Sequence, residues 1–255
     1  MKTLRLIIPA FIFFLLAGCF DINEQIDIKS NGSGVMLVNL DMSQMLEMMQ
    51  SYMGKEEIDK QMPKRVMDTT VYLKDVVDTA KSISEETKAL IRPGSVHMKL
   101  NMDEKVFKAD VRIPFESLAN LQKLYNSFSD GSLGLGTLFK GMSAGRDSMV
   151  KGPMPDFNQL GGLYDFKCSD GIFSRKLNES KWKAMQESPE FAQIKQVGSM
   201  GMEMPLSVVM KFPRPVKQVD NPIATISDDR KSVTIKYNLL ESFDNPQKYS
   251  FTITY

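Results

Sequence analysis

Few residues in this chain are of a type that does chemistry. Cys19 and Cys168 are its two cysteines and His97 its one histidine, so a closed zinc set of Cys and His ligands is excluded by inventory. Gly141-Met142-Ser143-Ala144-Gly145 matches G-x-S-x-G. A nucleophile elbow of that form needs a strand before the serine, a helix after it and a histidine later in the chain. Here Ser143 lies in a glycine-rich stretch and His97 comes earlier, so coincidence is the better explanation and no enzyme is expected. Met42, Met45 and Met48 repeat at three-residue spacing ahead of Met49 and Met53, and Met200, Met202 and Met204 alternate. Thioethers are soft ligands that suit Cu(I). Methionine also packs irregular helix faces, and the 42-45-49-53 stripe fits such a face, which leaves copper handling a distant reading. Gly131 to Gly136 lacks the Lys-Ser/Thr of a phosphate loop. No cofactor is expected.

Cys19 differs because its neighbours explain it. Lys2 and Arg5 are followed by an uncharged run from Leu6 to Ala17. At about 12 residues the run suits a signal peptide and falls short of the roughly 20 that a spanning helix needs. Leu16-Ala17-Gly18-Cys19 closes it and resembles the lipobox of bacterial lipoproteins. That resemblance implies removal of residues 1–18, a diacylglycerol on the Cys19 sulfur and a further acyl chain on its new amine. Each buried CH₂ contributes about 0.8 kcal/mol, so more than one chain anchors stably. Residue 20 is Phe, not the Asp that retains many such proteins in the inner membrane of enteric bacteria. The expected address is the cell envelope, lipid-anchored through Cys19, at the outer membrane and facing the periplasm.

Elements must then be found to carry the domain of residues 19–255, long enough for a sizeable core. Its formal charge is close to neutral, +1 for the whole chain. No basic stripe offers a footprint for nucleic acid. With Cys19 acylated, Cys168 has no partner for an internal disulfide and reads as a small buried hydrophobe.

Ile22, Ile26 and Ile28 alternate with polar residues, Asn31-Gly32-Ser33-Gly34 is a turn, and Val35 to Asp41 returns as a second strand. Ser43 is the expected cap of a helix carrying Met45, Met48, Met49, Tyr52 and Met53. Asp68 to Val77 reads as either a short strand or a helix start. Ser82 and Glu85 have capping-box spacing. Val96–Leu100 and Val106–Ile113 form an expected hairpin that Pro114 should stop, and Leu118, Leu121, Leu124, Tyr125 and Phe128 mark an amphipathic helix. Residues 129–162, rich in glycine, read as a long mobile loop. A hairpin from Leu163 to Leu177 follows, then a helix capped by Asn178 or Ser180. The C-terminal part is strongly β: 206–212, 223–226, 233–239 and 249–255. In the last run Tyr249, Phe251, Ile253 and Tyr255 share one face.

The N-terminal strand–turn–strand, together with Phe212-Pro213-Arg214-Pro215-Val216 and Val233-Thr234-Ile235-Lys236-Tyr237, resembles LppM-like bacterial lipoprotein domains. The middle of the chain is similar to uncharacterised envelope lipoproteins. The resemblance implies one domain whose first and last strands share a sheet, and it carries no catalytic residues. The expected fold class is α+β: an antiparallel sheet of N- and C-terminal strands, with amphipathic helices on one face. The expected role is a non-catalytic, membrane-anchored interaction or structural module, with the membrane, through Cys19, and an envelope protein as partners. An apolar-ligand (lipid) binding module, gated by the 129–162 loop, is the alternative.

Overall fold

A computed structural model of the chain describes residues 21–52, 66–78, 83–129, 161–188, 191–192, 195–196 and 203–255. The 129–162 loop expectation falls almost wholly outside that range.

Strands β1 (Asp21–Ile28) and β2 (Gly34–Asp41) pair antiparallel in full register, Asp21 opposite Asp41 and Ile28 opposite Gly34. The turn between them closes with Lys29 N–H donating to the Ser33 carbonyl and Gly32 N–H donating to the Lys29 carbonyl, and Gly32 takes φ of 80°, a left-handed conformation that costs glycine nothing. Gly34 is required for a different reason. A Cβ there would sit 2.0 Å from the Asp27 carbonyl oxygen and 2.4 Å from the Phe115 ring.

Helix α1 (Ser43–Tyr52) follows. Its cap differs from expectation: the Asp41 carboxylate accepts from the Ser43 N–H, while the Ser43 hydroxyl accepts from the Phe107 N–H of a neighbouring strand. The ambiguous 68–77 segment is both things in turn, strand β3 (Val66–Tyr72) and short helix α2 (Lys74–Val77). Helix α3 (Glu85–Ile91) is capped by Ser84, whose hydroxyl accepts from Thr87 N–H. The capping-box reading was therefore two residues early, and Ser82 itself lies outside the described residues.

Strands β4 (Ser95–Asn101) and β5 (Val106–Phe115) form the expected hairpin. Pro114 does not stop β5; it pairs with Val35 of β2. The β4 partner ends at Ser95, opposite Arg112, so beyond that point β5 is an edge on its β4 side, where a sheet accommodates proline. Helix α4 (Leu118–Ser129) then places Leu121, Leu124 and Tyr125 inward. Strands β6 (Tyr164–Ser169) and β7 (Ile172–Leu177) meet at a turn with Gly171 at φ 79°, and Asn178 caps helix α5 (Glu179–Gln186) by accepting from Lys181 N–H. Strands β8 (Pro205–Lys211), β9 (Gln218–Val219), β10 (Ala224–Ile226), β11 (Ser232–Asn238) and β12 (Phe251–Thr254) complete the described strands.

The class is α+β, with two sheets. The larger has the order β10-β11-β8-β1-β2-β5-β4-β3 and the smaller β6-β7-β12-β9. N- and C-terminal strands do share the larger sheet, but β1 joins β8 in parallel, Ile22 opposite Leu206, within an otherwise antiparallel array. The last strand differs from expectation: β12 pairs with β7 and β9 in the smaller sheet. Alternation made one face of 249–255 apolar, and Tyr249, Phe251, Ile253 and Tyr255 are indeed buried. Alternation cannot say which sheet that face completes. A single apolar cluster runs from Val96, Met98, Ala109 and Leu121 under the larger sheet to Phe173, Phe251 and Ile253 under the smaller.

Candidate functional site

Two features stand out, a buried polar seam between the sheets and an open cleft at one end. The seam begins with Glu24. It occupies the inward face of β1 with Ile22, Ile26 and Ile28, so strand period alone aims a carboxyl at the core. Tyr125 of α4 donates its hydroxyl to that carboxylate. From the facing sheet, Arg175 of β7 is 8% exposed and donates through Nη1 to the Tyr237 hydroxyl of β11 at 2.6 Å. Its guanidinium lies 3.8 Å from the Tyr164 ring centroid and 5.4 Å from that of Tyr237, while Nε has no hydrogen-bond partner. Tyr125 stacks on Phe166 at 4.1 Å and Tyr237 leans on Tyr249 at 4.5 Å.

The electrostatics follow from enclosure. Burial raises the Glu24 pKa above the ordinary carboxyl value, against the opposing pull of the Tyr125 hydrogen bond and the Arg175 charge. Burial, then the Glu24 charge, raises Tyr125 well above a free phenol. Tyr164 is pushed up to about 12, mainly by burial. For Arg175 burial works against the charge, but the facing Tyr237, Tyr164 and Glu24 outweigh it and the pKa is raised. The guanidinium thus stays charged between two sheets, with a carboxyl nearby and aromatic faces around it. Such an arrangement fixes how the sheets face each other. It provides no nucleophile–base pair.

The cleft, of about 520 Å³, lies where the β1–β2 turn meets the start of α4. Ile28, Gly32, Leu118 and Tyr255 form its apolar part, and Lys29 and Arg214 bring positive charge. Arg214 Nη2 donates to Asp170 at 2.5 Å and its guanidinium lies 5.4 Å from the Tyr255 ring.

Of the residues singled out by sequence, Cys19, Ser143, Met53, Met200 and Met202 lie outside the described residues. Met42 is buried at the entrance to α1, and Met45 and Met49 pack against the core. Met204 is also buried, beside β8. Cys168 is buried, and burial pushes its thiol up to about 12. His97 stands on the outer face of β4, with Nε2 2.8 Å from Asp68 and Nδ1 3.6 Å from Asp110, which also accepts from Asn39 at 2.7 Å. Chiefly through the Asp68 hydrogen bond, its pKa is raised above 6.5. Among the described residues, no group of three or more His, Cys, Asp and Glu could hold a metal ion. No helix there is long and apolar enough to cross a membrane.

Sequence reasoning passed over Glu24 and Arg175. The signal was available: each interrupts an apolar alternation, Glu24 between Ile22 and Ile26 and Arg175 between Phe173 and Leu177.

No family model matches the chain. Nor does any curated protein. The folded domain of LppM from Mycobacterium tuberculosis, solved by NMR, is similar at a TM-score of 0.37 and 7% identity, over 94% of this chain and 92% of that one. A likeness that distant carries no argument, and the fold class stands on the strands and helices themselves.

Proposed function

We propose that the chain is a lipid-anchored envelope protein acting as a non-catalytic interaction or structural module. The observation that carries this reading is the join between signal and domain. Leu16-Ala17-Gly18-Cys19 ends a short apolar run, and strand structure begins at Asp21. A secretory signal cut before a folded domain needs no cysteine at that point; an acyl anchor does. The diacylated sulfur and acylated amine of Cys19 hold the domain at the outer membrane, on the periplasmic side.

A module role is supported over the apolar-ligand alternative by how the interior is filled. Met36, Met42, Met98, Met102, Phe107 and Phe115 are all buried side by side with the aliphatic core. Among the described residues, the methionine- and phenylalanine-rich region that would cradle a lipid is occupied by its own side chains.

Fractionation of cells expressing the wild type and Cys19→Ala tests the reading, with mass spectrometry of the N-terminal peptide. The wild type should enter the membrane fraction with an acylated residue 19, and the variant should leave it. A variant that stays membrane-bound, or an unmodified Cys19 in the wild type, overturns the proposal.

A further inference from the structure

An anchor at Cys19 has a geometric consequence for the whole domain. Phe20 alone separates Cys19 from Asp21, so at most about 7 Å of backbone, at ~3.6 Å per residue, joins the anchor to β1. The end of the sheet at which β1 starts is therefore held at the membrane. Registers say what else lies there. Asp21 is opposite Asp41, Asp41 opposite Lys108, and Ile22 opposite Leu206. Helix α1 leaves β2 at the same end and is tied across the β4–β5 turn. Gln50 Nε2 donates to the Met102 carbonyl at 2.8 Å, and Lys105 Nζ lies 2.5 Å from Glu47.

We infer that this end, formed by the start of β1, the end of β2, α1 and the β4–β5 turn, rests against lipid headgroups, while the cleft points away from the bilayer. The inference rests on the lipid-anchored reading of Cys19. Strands rise ~3.3 Å per residue, so Ile28 lies about 23 Å beyond Asp21. The cleft, lined by Ile28, Lys29 and Gly32, is at that far end. It is presented to the aqueous side of the membrane.

The chemistry of the near end fits zwitterionic headgroups. Lys108 lies 2.9 Å from Asp41 and Lys105 pairs with Glu47, and with Asp21, Asp103 and Glu104 at the same end the acidic groups outnumber the basic ones among the described residues. A polybasic surface would require anionic lipid; this one does not. Orientation should persist in vesicles of phosphatidylethanolamine and phosphatidylcholine alone.

The test uses the full processed protein, reconstituted in such vesicles with a headgroup-nitroxide lipid. Gln44→Cys on α1 and Ser30→Cys at the cleft end are both exposed positions, each labelled with a maleimide fluorophore. Cys168 is buried, and circular dichroism confirms that each variant is folded. The expected result is loss of fluorescence at position 44 and none at position 30. Equal quenching, stronger quenching at 30, or none at either overturns the orientation while leaving the anchor intact, provided mass spectrometry finds acyl chains on residue 19. An unacylated residue 19 overturns the anchored reading and this inference with it.

Discussion

Replacing Arg175 with Met is the sharpest probe of what joins the two sheets. The guanidinium makes a charge-assisted hydrogen bond to Tyr237 at 2.6 Å, a class that contributes about 1.5–3 kcal/mol. It also lies 3.8 Å from the Tyr164 ring, a desolvated cation–π contact of about 2 kcal/mol. Against these stand the several kcal/mol it costs to bury the ion and an unpartnered Nε, itself about 1–3 kcal/mol. On those terms alone the residue comes close to break-even. Glu24 decides the sign, because removing Arg175 leaves its carboxyl with less compensating charge. Breaking a buried pair from one side costs about 3–5 kcal/mol, whereas replacing both partners is often neutral. Glu24 is only half-buried as a residue and acts on Arg175 through its charge rather than through a direct ion pair, which brings the expectation for Arg175→Met down to about 2–3 kcal/mol. The assay is urea unfolding of the chain from residue 20, followed by Trp182 fluorescence and circular dichroism, in a cycle with Glu24→Gln. The double variant should be more stable than the two single losses added together. Additivity to within about 0.5 kcal/mol would mean that Glu24 and Arg175 do not sense each other and that the seam is not an electrostatic unit.

Other expectations are narrower. Gly34→Ala should destabilise by about 2–3 kcal/mol, the upper range for overpacking, because the Asp27 carbonyl oxygen at 2.0 Å is backbone and cannot swing aside; a melting temperature equal to wild type would refute the β1–β2–β5 contact. The single histidine gives one imidazole NMR titration, with its midpoint above 6.5 because Asp68 and Asp110 favour the charged ring. Since the folded pKa is the raised one, the stability that His97 adds is complete below its unfolded pKa and is lost as pH rises through the folded value. A midpoint at or below 6.5, or no downward shift in Asp68→Asn, would contradict that pairing. Cys168, 6% exposed with its thiol pushed up to about 12, should resist a thiol reagent in the native protein and react once in denaturant; rapid native labelling would show that the β6 face opens.

Most strands and several helices were legible because one period dominates each of them. Val96–Leu100 and Val106–Ile113 alternate cleanly and became β4 and β5; Leu118, Leu121, Leu124 and Tyr125 follow helical spacing and became the inner face of α4. Errors arose where a local rule met a neighbour. Pro114 was read as a stop because the sequence does not show that β4 has already ended beside it. Local spacing makes Ser43 a cap, but the Asp41 carboxylate takes the Ser43 N–H while the Ser43 hydroxyl accepts from Phe107. The candidate site was less legible still. A single charged residue in an apolar strand is silent about its partner, and the partner of Glu24 is brought from 101 residues away in Tyr125.

By itself, the sequence determined the α+β class and most of the residues that turn inward, because these depend on order along the chain and on periods of two and 3.6. Tertiary structure alone decided that β1 lies parallel to β8, that β12 completes the smaller sheet, and that Glu24 and Arg175 share one seam. Those choices depend on which apolar faces meet and which buried charges find compensation. Both are properties of pairs distant in sequence, to which no local pattern refers.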